Sequence, residues 1–364
     1  MSVRVIISGG GTGGHIFPAI SIANELKSRI QDIDILFVGA KGRMEMEKVP
    51  KAGYPIKGLS INGLQRNWRD TRNLSFPFKL LFSLVKSYFI VKKFKPAAVI
   101  GTGGYASGPL LYVASKLSIP ALIQEQNSYP GITNKLLSKS VQKICVAYEN
   151  MQRFFPADKL MLLGNPIRKD LIDCSSKKAQ GITHFGLDEH KPVVLVIGGS
   201  LGARTINESM ATMVDDLESA HIQLIWQTGI SFEKKALELI RGKKNIQASA
   251  FIYEMDLAYS VADIIISRAG ASTISELCLV GKPAILIPSP NVAEDHQTKN
   301  AMALVDKKAA LMVKDSDAKI TLSTTLNDLL NDKKKQEELS SNIKTLAIAD
   351  SSKLIVDEVL KLID

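Results

Sequence analysis

The chain alternates short apolar runs with stretches whose apolar residues recur at helical spacing. In the first half the runs lie at 3–7, 35–38, 97–100, 121–124 and 144–146; in the second, at 193–197, 222–226, 246–248, 264–267 and 284–287. Short apolar runs set between helical stretches predict buried parallel strands with helices on both faces of the sheet. Each half opens alike, with a strand running into a glycine loop (8–14, then 198–202) and a helix. The pattern predicts two Rossmann-like α/β domains, 1–165 and 166–344, joined near Gly164-Asn165-Pro166 and followed by a polar helical linker through Glu189. The last helix, about 351–363, carries Leu354, Ile355, Val359 and Leu362 on one stripe. Segment 345–364 is therefore expected to pack back on the first domain. Ligands of open α/β sheets bind beyond the C-terminal ends of the strands, so the two domains are expected to face each other across a cleft.

Composition narrows the class. The 364 residues, 45% hydrophobic and 23% charged, suit two globular domains of roughly 100–200 residues each and exclude a disordered chain. No run reaches the roughly 18 uninterrupted apolar residues of a membrane helix. The opening run has no charged n-region or cleavage site of a secretion signal, so a cytosolic protein is expected. Cys145, Cys174 and Cys278 share no metal spacing and read as buried, inert thiols.

The net charge of +10 points to an anionic partner. Between Asn62 and Lys95 stand Arg66, Arg69, Arg72, Lys79, Lys86, Lys92, Lys93 and Lys95 against one acid, Asp70. Leu64, Trp68, Leu74, Phe76, Phe78, Leu80, Leu81, Phe82, Leu84, Val85, Tyr88, Phe89 and Ile90 are interleaved with them. That mixture suits an anionic membrane surface; a core helix with a solvated basic face fits it equally well. No recognition helix or aromatic sheet motif accompanies the charge, so nucleic acid is not expected.

The candidate chemistry follows the strands. Ser8-Gly9-Gly10-Gly11-Thr12-Gly13-Gly14-His15 contains a formal G-x-G-x-x-G, but the second strand ends Phe37-Val38-Gly39-Ala40 without the acid that a dinucleotide ribose requires. Asp32 and Asp34 precede that strand, at the wrong edge of the sheet for a metal, and no metal site is expected. What the loop provides is backbone close to a ligand. It also places His15 at a helix start, as a general base or substrate contact. A second loop, Gly101-Thr102-Gly103-Gly104-Tyr105, follows the next central run. Gln124-Glu125-Gln126-Asn127 ends another, where Glu125 and Asn127 serve either catalysis or a helix cap. In the second half, Gly198-Gly199-Ser200-Leu201-Gly202 opens a helix and suits a pyrophosphate. Thr273 and Glu276 read as a capping box, or Glu276 as a ribose ligand. Glu294-Asp295-His296-Gln297 offers polar groups to sugar hydroxyls.

In order and in register, GGGTGGHIFP (9–18), GTGGYASGP (101–109), QEQNSYPGITN (124–134), GNPIR (164–168), GGSLGAR (198–204), SRAGASTISE (267–276) and EDHQTKNA (294–301) resemble the MurG family, the lipid I N-acetylglucosaminyltransferases of peptidoglycan synthesis. The resemblance covers essentially the whole chain. It implies a GT-B fold, UDP-GlcNAc as donor, lipid I as acceptor and inversion at the anomeric carbon. No cofactor is implied, and the enzyme is placed peripherally on the cytoplasmic face of the cell membrane, where other cell-wall or division proteins are further partners. It implies that Thr12, Gly13, Gly14 and Asn127 contact the transferred sugar. Ser200, with Arg168 nearby, is matched to the diphosphate, Ile252 to uracil through its backbone, and Glu276 to the ribose. Ala271, Ser272 and Thr273 also line the donor, and Gln297 meets a GlcNAc hydroxyl. His15 and Glu125 are the catalytic candidates. Gln124 departs from the histidine of many members, and His296 from a glutamine of some. Two alternatives stand beside this reading: a UDP-GlcNAc 2-epimerase on the same fold, and a non-catalytic nucleotide-sugar-binding subunit.

Overall fold

A computed structural model of the chain describes residues 2–63, 74–167, 171, 174–199 and 202–363, the side chain of Ala293 apart. The chain divides into two compact units, Met1–Ile167 with Asp350–Asp364, and Arg168–Ala349.

The first unit holds β1 (Val3–Gly9), β2 (Ile33–Ala40), β3 (Ile56–Leu59), β4 (Ala98–Gly103), β5 (Ala121–Glu125), β6 (Lys143–Val146) and β7 (Leu160–Leu162). They form one sheet in the order β3-β2-β1-β4-β5-β6-β7, and every pairing is parallel. Alternate side chains leave opposite faces of a strand, so each run feeds two cores. Ile6, Val38 and Val99 join one cluster; Val5, Ile7, Phe37 and Ile100 join the other. Burial on both faces is why these strands read as unbroken apolar runs. The helix Gly13–Arg29 lays Ile16, Ile22 and Leu26 on the second cluster, and the helix Ser351–Ile363 adds Ile355, Val356 and Val359. Asp357 of that last helix meets Arg29 at 2.7 Å.

The second unit holds β8 (Val193–Ile197), β9 (Gln223–Gln227), β10 (Ile246–Ser249), β11 (Ile264–Ser267), β12 (Ala284–Leu286) and β13 (Leu311–Met312), in the parallel order β10-β9-β8-β11-β12-β13. Trp226 is fully buried in its core. Its indole N–H donates to Asn207 Oδ1 at 3.0 Å, as a buried polar atom requires.

Three strands, β3, β7 and β13, were not expected from the apolar pattern. All three are edges of their sheets and span four, three and two residues. The polar segment through Glu189 includes the helix Lys178–Phe185. Its described part is packed into the second unit, where Lys177 Nζ meets Asp256 Oδ2 at 2.6 Å. A Cβ on Gly181 would lie 2.6 Å from Val261 Cγ1. The three cysteines are free and buried. Burial pushes the Cys278 thiol up to about 12 and raises Cys145 and Cys174 as well, which withholds the reactive thiolate.

Candidate functional site

Strand order brings the loops together. In each sheet the chain winds outward from one central strand and then restarts on its other side, between β1 and β4 and between β8 and β11. Such a switch point opens a crevice at the strand C-termini. In the first unit it sets the two glycine loops against each other: Gly10 N–H donates to Gly103 O at 3.3 Å. A Cβ on Gly104, whose φ is +90°, would lie 2.4 Å from Gly10 O. Here glycine is required by both conformation and contact.

His15 enters this crevice at the start of the helix Gly13–Arg29, and Thr12 Oγ1 lies 3.4 Å from its Nδ1. Its Nδ1 is 2.9 Å from Gly10 O. A carbonyl only accepts, so Nδ1 carries a proton, and in the neutral ring the lone pair is on Nε2. Nε2 faces Gly103, where a Cβ would come within 2.9 Å of it. Beneath the loop lies a residue that the sequence pattern did not single out. Glu45, fully buried at the start of the helix Glu45–Lys51, accepts Gly11 N–H at Oε2 and Ala40 N–H at Oε1, both at 2.9 Å. The available signal was its place four residues before buried Val49, on the inward face of that helix.

Glu125 is buried at the end of β5 and ringed by donors. Oε1 accepts Asn127 N at 3.0 Å and Asn127 Nδ2 at 3.2 Å; Oε2 accepts Gly131 N at 3.1 Å and Asn134 Nδ2 at 2.8 Å. Four donors fill the roughly four lone-pair positions of a carboxylate. Gln124 donates to Asn165 Oδ1 at 2.8 Å, and Asn165 Nδ2 returns a bond to Gln126 O at 3.0 Å. Thr102 Oγ1 donates to His15 O at 2.7 Å, and Gln126 Nε2 to Thr102 O at 2.7 Å. This polar web clamps the ends of β4 and β5 around the helix that carries His15. The first unit thus gathers Thr12, Gly13, Gly14, His15, Glu125 and Asn127 into neighbouring loops.

In the second unit the switch point sets Gly198–Gly199 near the loop after β11. Arg268 donates to Ile287 O at 3.0 Å and pairs with Asp315 Oδ1; Asp315 Oδ2 accepts Thr205 Oγ1 at 2.9 Å. That chain ties three strand ends to the helix Arg204–Ser219. Arg268 is therefore engaged by protein groups. The helix Ala271–Val280 starts from Gly270, with no side-chain cap. The expected capping box is thus absent: Thr273 lies inside the first turn, and Glu276 instead accepts Tyr259 Oη–H at 3.0 Å. The cap residues of the helices Arg204–Ser219 and His296–Val305, Ala203 and Asp295, likewise make no side-chain cap bond among the described residues, and helix N-termini attract anions. Glu294 and Asp295 both take left-handed φ, 51° and 52°, an uncommon conformation for non-glycine residues. Gln297 Oε1 accepts Ser289 N at 2.8 Å. Ile252 is buried between exposed Phe251 and Tyr253. Ser200 and Arg168 lie outside the described residues, as do 64–73 with Leu64, Arg66, Trp68, Arg69, Asp70 and Arg72.

The helix Phe76–Phe94 is apolar on both sides. Ser83, Ser87, Ile90 and Val91 face inward. Phe78, Leu81, Phe82, Val85 and Phe89 form an outward stripe, with Phe78 77% and Phe89 65% exposed. Lys92 and Lys93 flank its far end, and Lys92 Nζ sits 5.8 Å from the Tyr88 ring centre. Lys86 is not part of a lipid-facing set: it donates to Gly58 O at 2.8 Å, and desolvation lowers its pKa. No helix among the described residues is long and apolar enough to cross a membrane.

Comparison with known proteins fits this layout. The glycosyltransferase family 28 N-terminal domain matches residues 5–146, and the C-terminal domain of the same family matches 193–355. A curated relative from Flavobacterium psychrophilum is 59% identical over 99% of this chain and 98% of its own. One from Parabacteroides distasonis is 55% identical over the same shares. Both are named UDP-N-acetylglucosamine–N-acetylmuramyl-(pentapeptide) pyrophosphoryl-undecaprenol N-acetylglucosamine transferase. Among solved structures, Acinetobacter baumannii MurG superposes with a TM-score of 0.80 at 30% identity, covering 99% of each chain. A Neisseria meningitidis UDP-GlcNAc 2-epimerase reaches 0.66 at 17% identity, covering 99% of this chain and 100% of its own, and shares the fold alone.

Proposed function

We infer the chemistry of both loop clusters from one premise: this chain belongs to the MurG family, within glycosyltransferase family 28. Its two Rossmann-like domains are of the GT-B class. The enzyme transfers N-acetylglucosamine from UDP-GlcNAc to undecaprenyl-pyrophosphoryl-MurNAc-pentapeptide, converting lipid I to lipid II. On the structural side, one observation supports this best: a histidine held at Nδ1 by a backbone carbonyl, at the helix start that follows a glycine loop, which leaves Nε2 as the acceptor of the neutral ring.

The proposed reaction is a single displacement with inversion. The C4 hydroxyl of MurNAc attacks C1 of GlcNAc as UDP leaves, and His15 Nε2 takes the hydroxyl proton. We assign Glu125 to organising the 126–134 loop, and through it Asn127, because its lone pairs are already bonded. Thr12, Gly13, Gly14 and Asn127 contact the transferred sugar. On the donor side, Ser200 and its loop, with Arg168, hold the diphosphate, whose departing charge meets the N-terminus of the helix Arg204–Ser219. Ile252 contacts uracil through its backbone. Ala271, Ser272 and Thr273 line the donor, and Glu276, oriented by Tyr259, accepts the ribose hydroxyls. Gln297, its carbonyl held by Ser289, turns its NH2 to a GlcNAc hydroxyl. The test is UDP release from UDP-GlcNAc with and without a short-chain lipid I analogue. Acceptor-dependent release with a disaccharide product is expected. No acceptor-dependent product, together with ManNAc or free UDP from the donor alone, would overturn the transferase reading in favour of the epimerase.

The acceptor's lipid stays in a bilayer, and the stripe Phe78–Leu81–Phe82–Val85–Phe89 with its lysines gives a surface that docks there. We place the enzyme peripherally on the cytoplasmic face, on anionic lipid, where other cell-wall proteins are further partners. An apolar stripe adds affinity that salt does not remove, and the lysines add affinity that it does. Vesicles with 30% anionic lipid should bind the enzyme several-fold more tightly than neutral ones at low salt. The double change F82S/F89S should weaken binding to both kinds of vesicle by at least tenfold. Binding that ignores both lipid charge and these substitutions would rule the surface out.

A further inference from the structure

We propose that Glu45 is a positioning residue for the transfer reaction, acting on His15 through the single peptide group between Gly10 and Gly11. The proposal rests on His15 being the base.

The peptide's two ends are engaged at once. Its C=O, on Gly10, accepts His15 Nδ1–H at 2.9 Å, and its N–H, on Gly11, donates to Glu45 Oε2 at 2.9 Å. The series therefore runs from carboxylate to peptide to imidazole, with each donor and acceptor matched. A peptide polarised at its N–H by a carboxylate becomes a better acceptor at its C=O, because hydrogen bonds in series reinforce one another. In water a neutral imidazole has no carbonyl to hold its Nδ1 proton. Here the tautomer with a lone pair on Nε2 is selected by a carbonyl whose direction Glu45 fixes. When the base takes a proton, the same series sets a negative charge behind the imidazolium.

Glu45 is built into the loop. It is fully buried, and its second oxygen accepts Ala40 N–H, which anchors it to the end of β2. A Cβ on Gly10 would lie 2.2 Å from Glu45 Oε1, and one on Gly39 would lie 2.5 Å from Glu45 Cγ. The glycines therefore let the carboxylate reach the peptide. The positive φ of Gly11, +85°, lets the chain turn away beyond it. Nothing in the donor or acceptor chemistry needs an acid at this place, which is closed to ligand by the loop above it.

The near-isosteric variant E45Q is informative because glutamine presents one acceptor and one NH2 to two backbone donors. Either Gly11 or Ala40 then faces a donor. With UDP-GlcNAc and a short-chain lipid I analogue, E45Q should lower kcat about 10- to 100-fold, by analogy with removal of the partner that orients a metal-bound histidine, while KM for UDP-GlcNAc moves less than about threefold. In an H15A background E45Q should add almost nothing, since its effect passes through His15. The chain has five histidines, so 15N-histidine NMR of the wild-type protein resolves the His15 tautomer, assigned by its loss in H15A. Neutral His15 should carry its proton on Nδ1 in the wild type and lose that preference in E45Q.

An Nε2-protonated wild-type ring overturns the proposal without any Glu45 variant, so it stays testable if E45Q fails to fold. Wild-type kcat in folded E45Q overturns it too, as does a loss that adds in full to that of H15A. An unchanged kcat in H15A alone instead removes the base assignment on which this proposal rests, a result readable apart from the others.

Discussion

Replacing His15 by alanine should lower kcat for GlcNAc transfer by about 100- to 10,000-fold while leaving UDP affinity within about twofold. That is the usual contribution of a positioned general base, equivalent to about 2.7–5.4 kcal/mol of transition-state stabilisation. The size follows from the competition for the role. Glu125 is the other titratable candidate in this unit, but Asn127, Gly131 and Asn134 already occupy both of its oxygens. A proton could reach that carboxylate only by displacing one of these donors. His15 has its one acceptor nitrogen uncommitted by the Gly10 bond, so it can take a proton without breaking anything. Donor affinity should hold because the proposed UDP contacts lie in the other unit. Measured with saturating acceptor, H15A with a near-normal kcat would send the search for a base elsewhere. H15A with a normal kcat and a raised donor KM would recast His15 as a sugar contact.

Gly104→Ala should be nearly as damaging to activity and should also cost stability, about 2–4 kcal/mol. Two effects combine. At φ +90° an alanine is strained by roughly 1–2 kcal/mol, and its Cβ would lie 2.4 Å from Gly10 O and 3.0 Å from Gly10 N and C. Backbone cannot swing aside as a side-chain tip can, so the first glycine loop must move. The carbonyl displaced is the one that holds His15, so kcat should fall at least 100-fold. Gly108→Ala is the matched control. It lies in the helix Ser107–Lys116, and its Cβ would meet Thr133 Cγ2 at an ordinary 3.5 Å. There alanine should be neutral or stabilising by up to about 1 kcal/mol. Thermal melts and kcat for the pair decide it. If G104A keeps both activity and stability, the two loops are not packed as described.

Much of this enzyme is legible from local pattern. The apolar runs that became β1, β4, β5, β8 and β11 lie in the middle of their sheets. A strand covered on both faces and paired on both edges has little room for a polar side chain. Edge strands β3, β7 and β13 escaped notice because one open edge and a half-exposed surface tolerate polar residues, and two to four residues are too few for a period. The capping box failed for a related reason. Thr273 and Glu276 have the right spacing, but Gly270 begins the helix three residues earlier, and spacing alone does not say where a helix starts.

The helix Phe76–Phe94 shows the same division. Its sequence fitted both a packed core helix and a membrane-surface helix, because it is apolar around most of its circumference. Tertiary packing covers the face with Ser83, Ser87, Ile90 and Val91 and leaves Phe78, Leu81, Phe82, Val85 and Phe89 exposed. Glu45 is the sharper case. In Met44-Glu45-Met46-Glu47-Lys48 only the four-residue spacing to Val49 separates Glu45 from Glu47, yet the first is fully buried against the glycine loop and the second pairs with Lys51 in solvent.

By itself, then, the sequence determined the order of strands and helices, the glycine loops after the strands, and the motif set that marks the family. Hydrophobic burial and backbone conformation are set by residue type and near neighbours, so they leave a periodic trace. Only the tertiary structure decided which distant polar atoms meet: Gly11 with Glu45, Gln124 with Asn165, Arg268 with Asp315. Hydrogen bonds act over about 3 Å and in a set direction. Which donor finds which acceptor depends on how segments 30 to 50 residues apart are stacked, a fact that no local stretch of the chain contains.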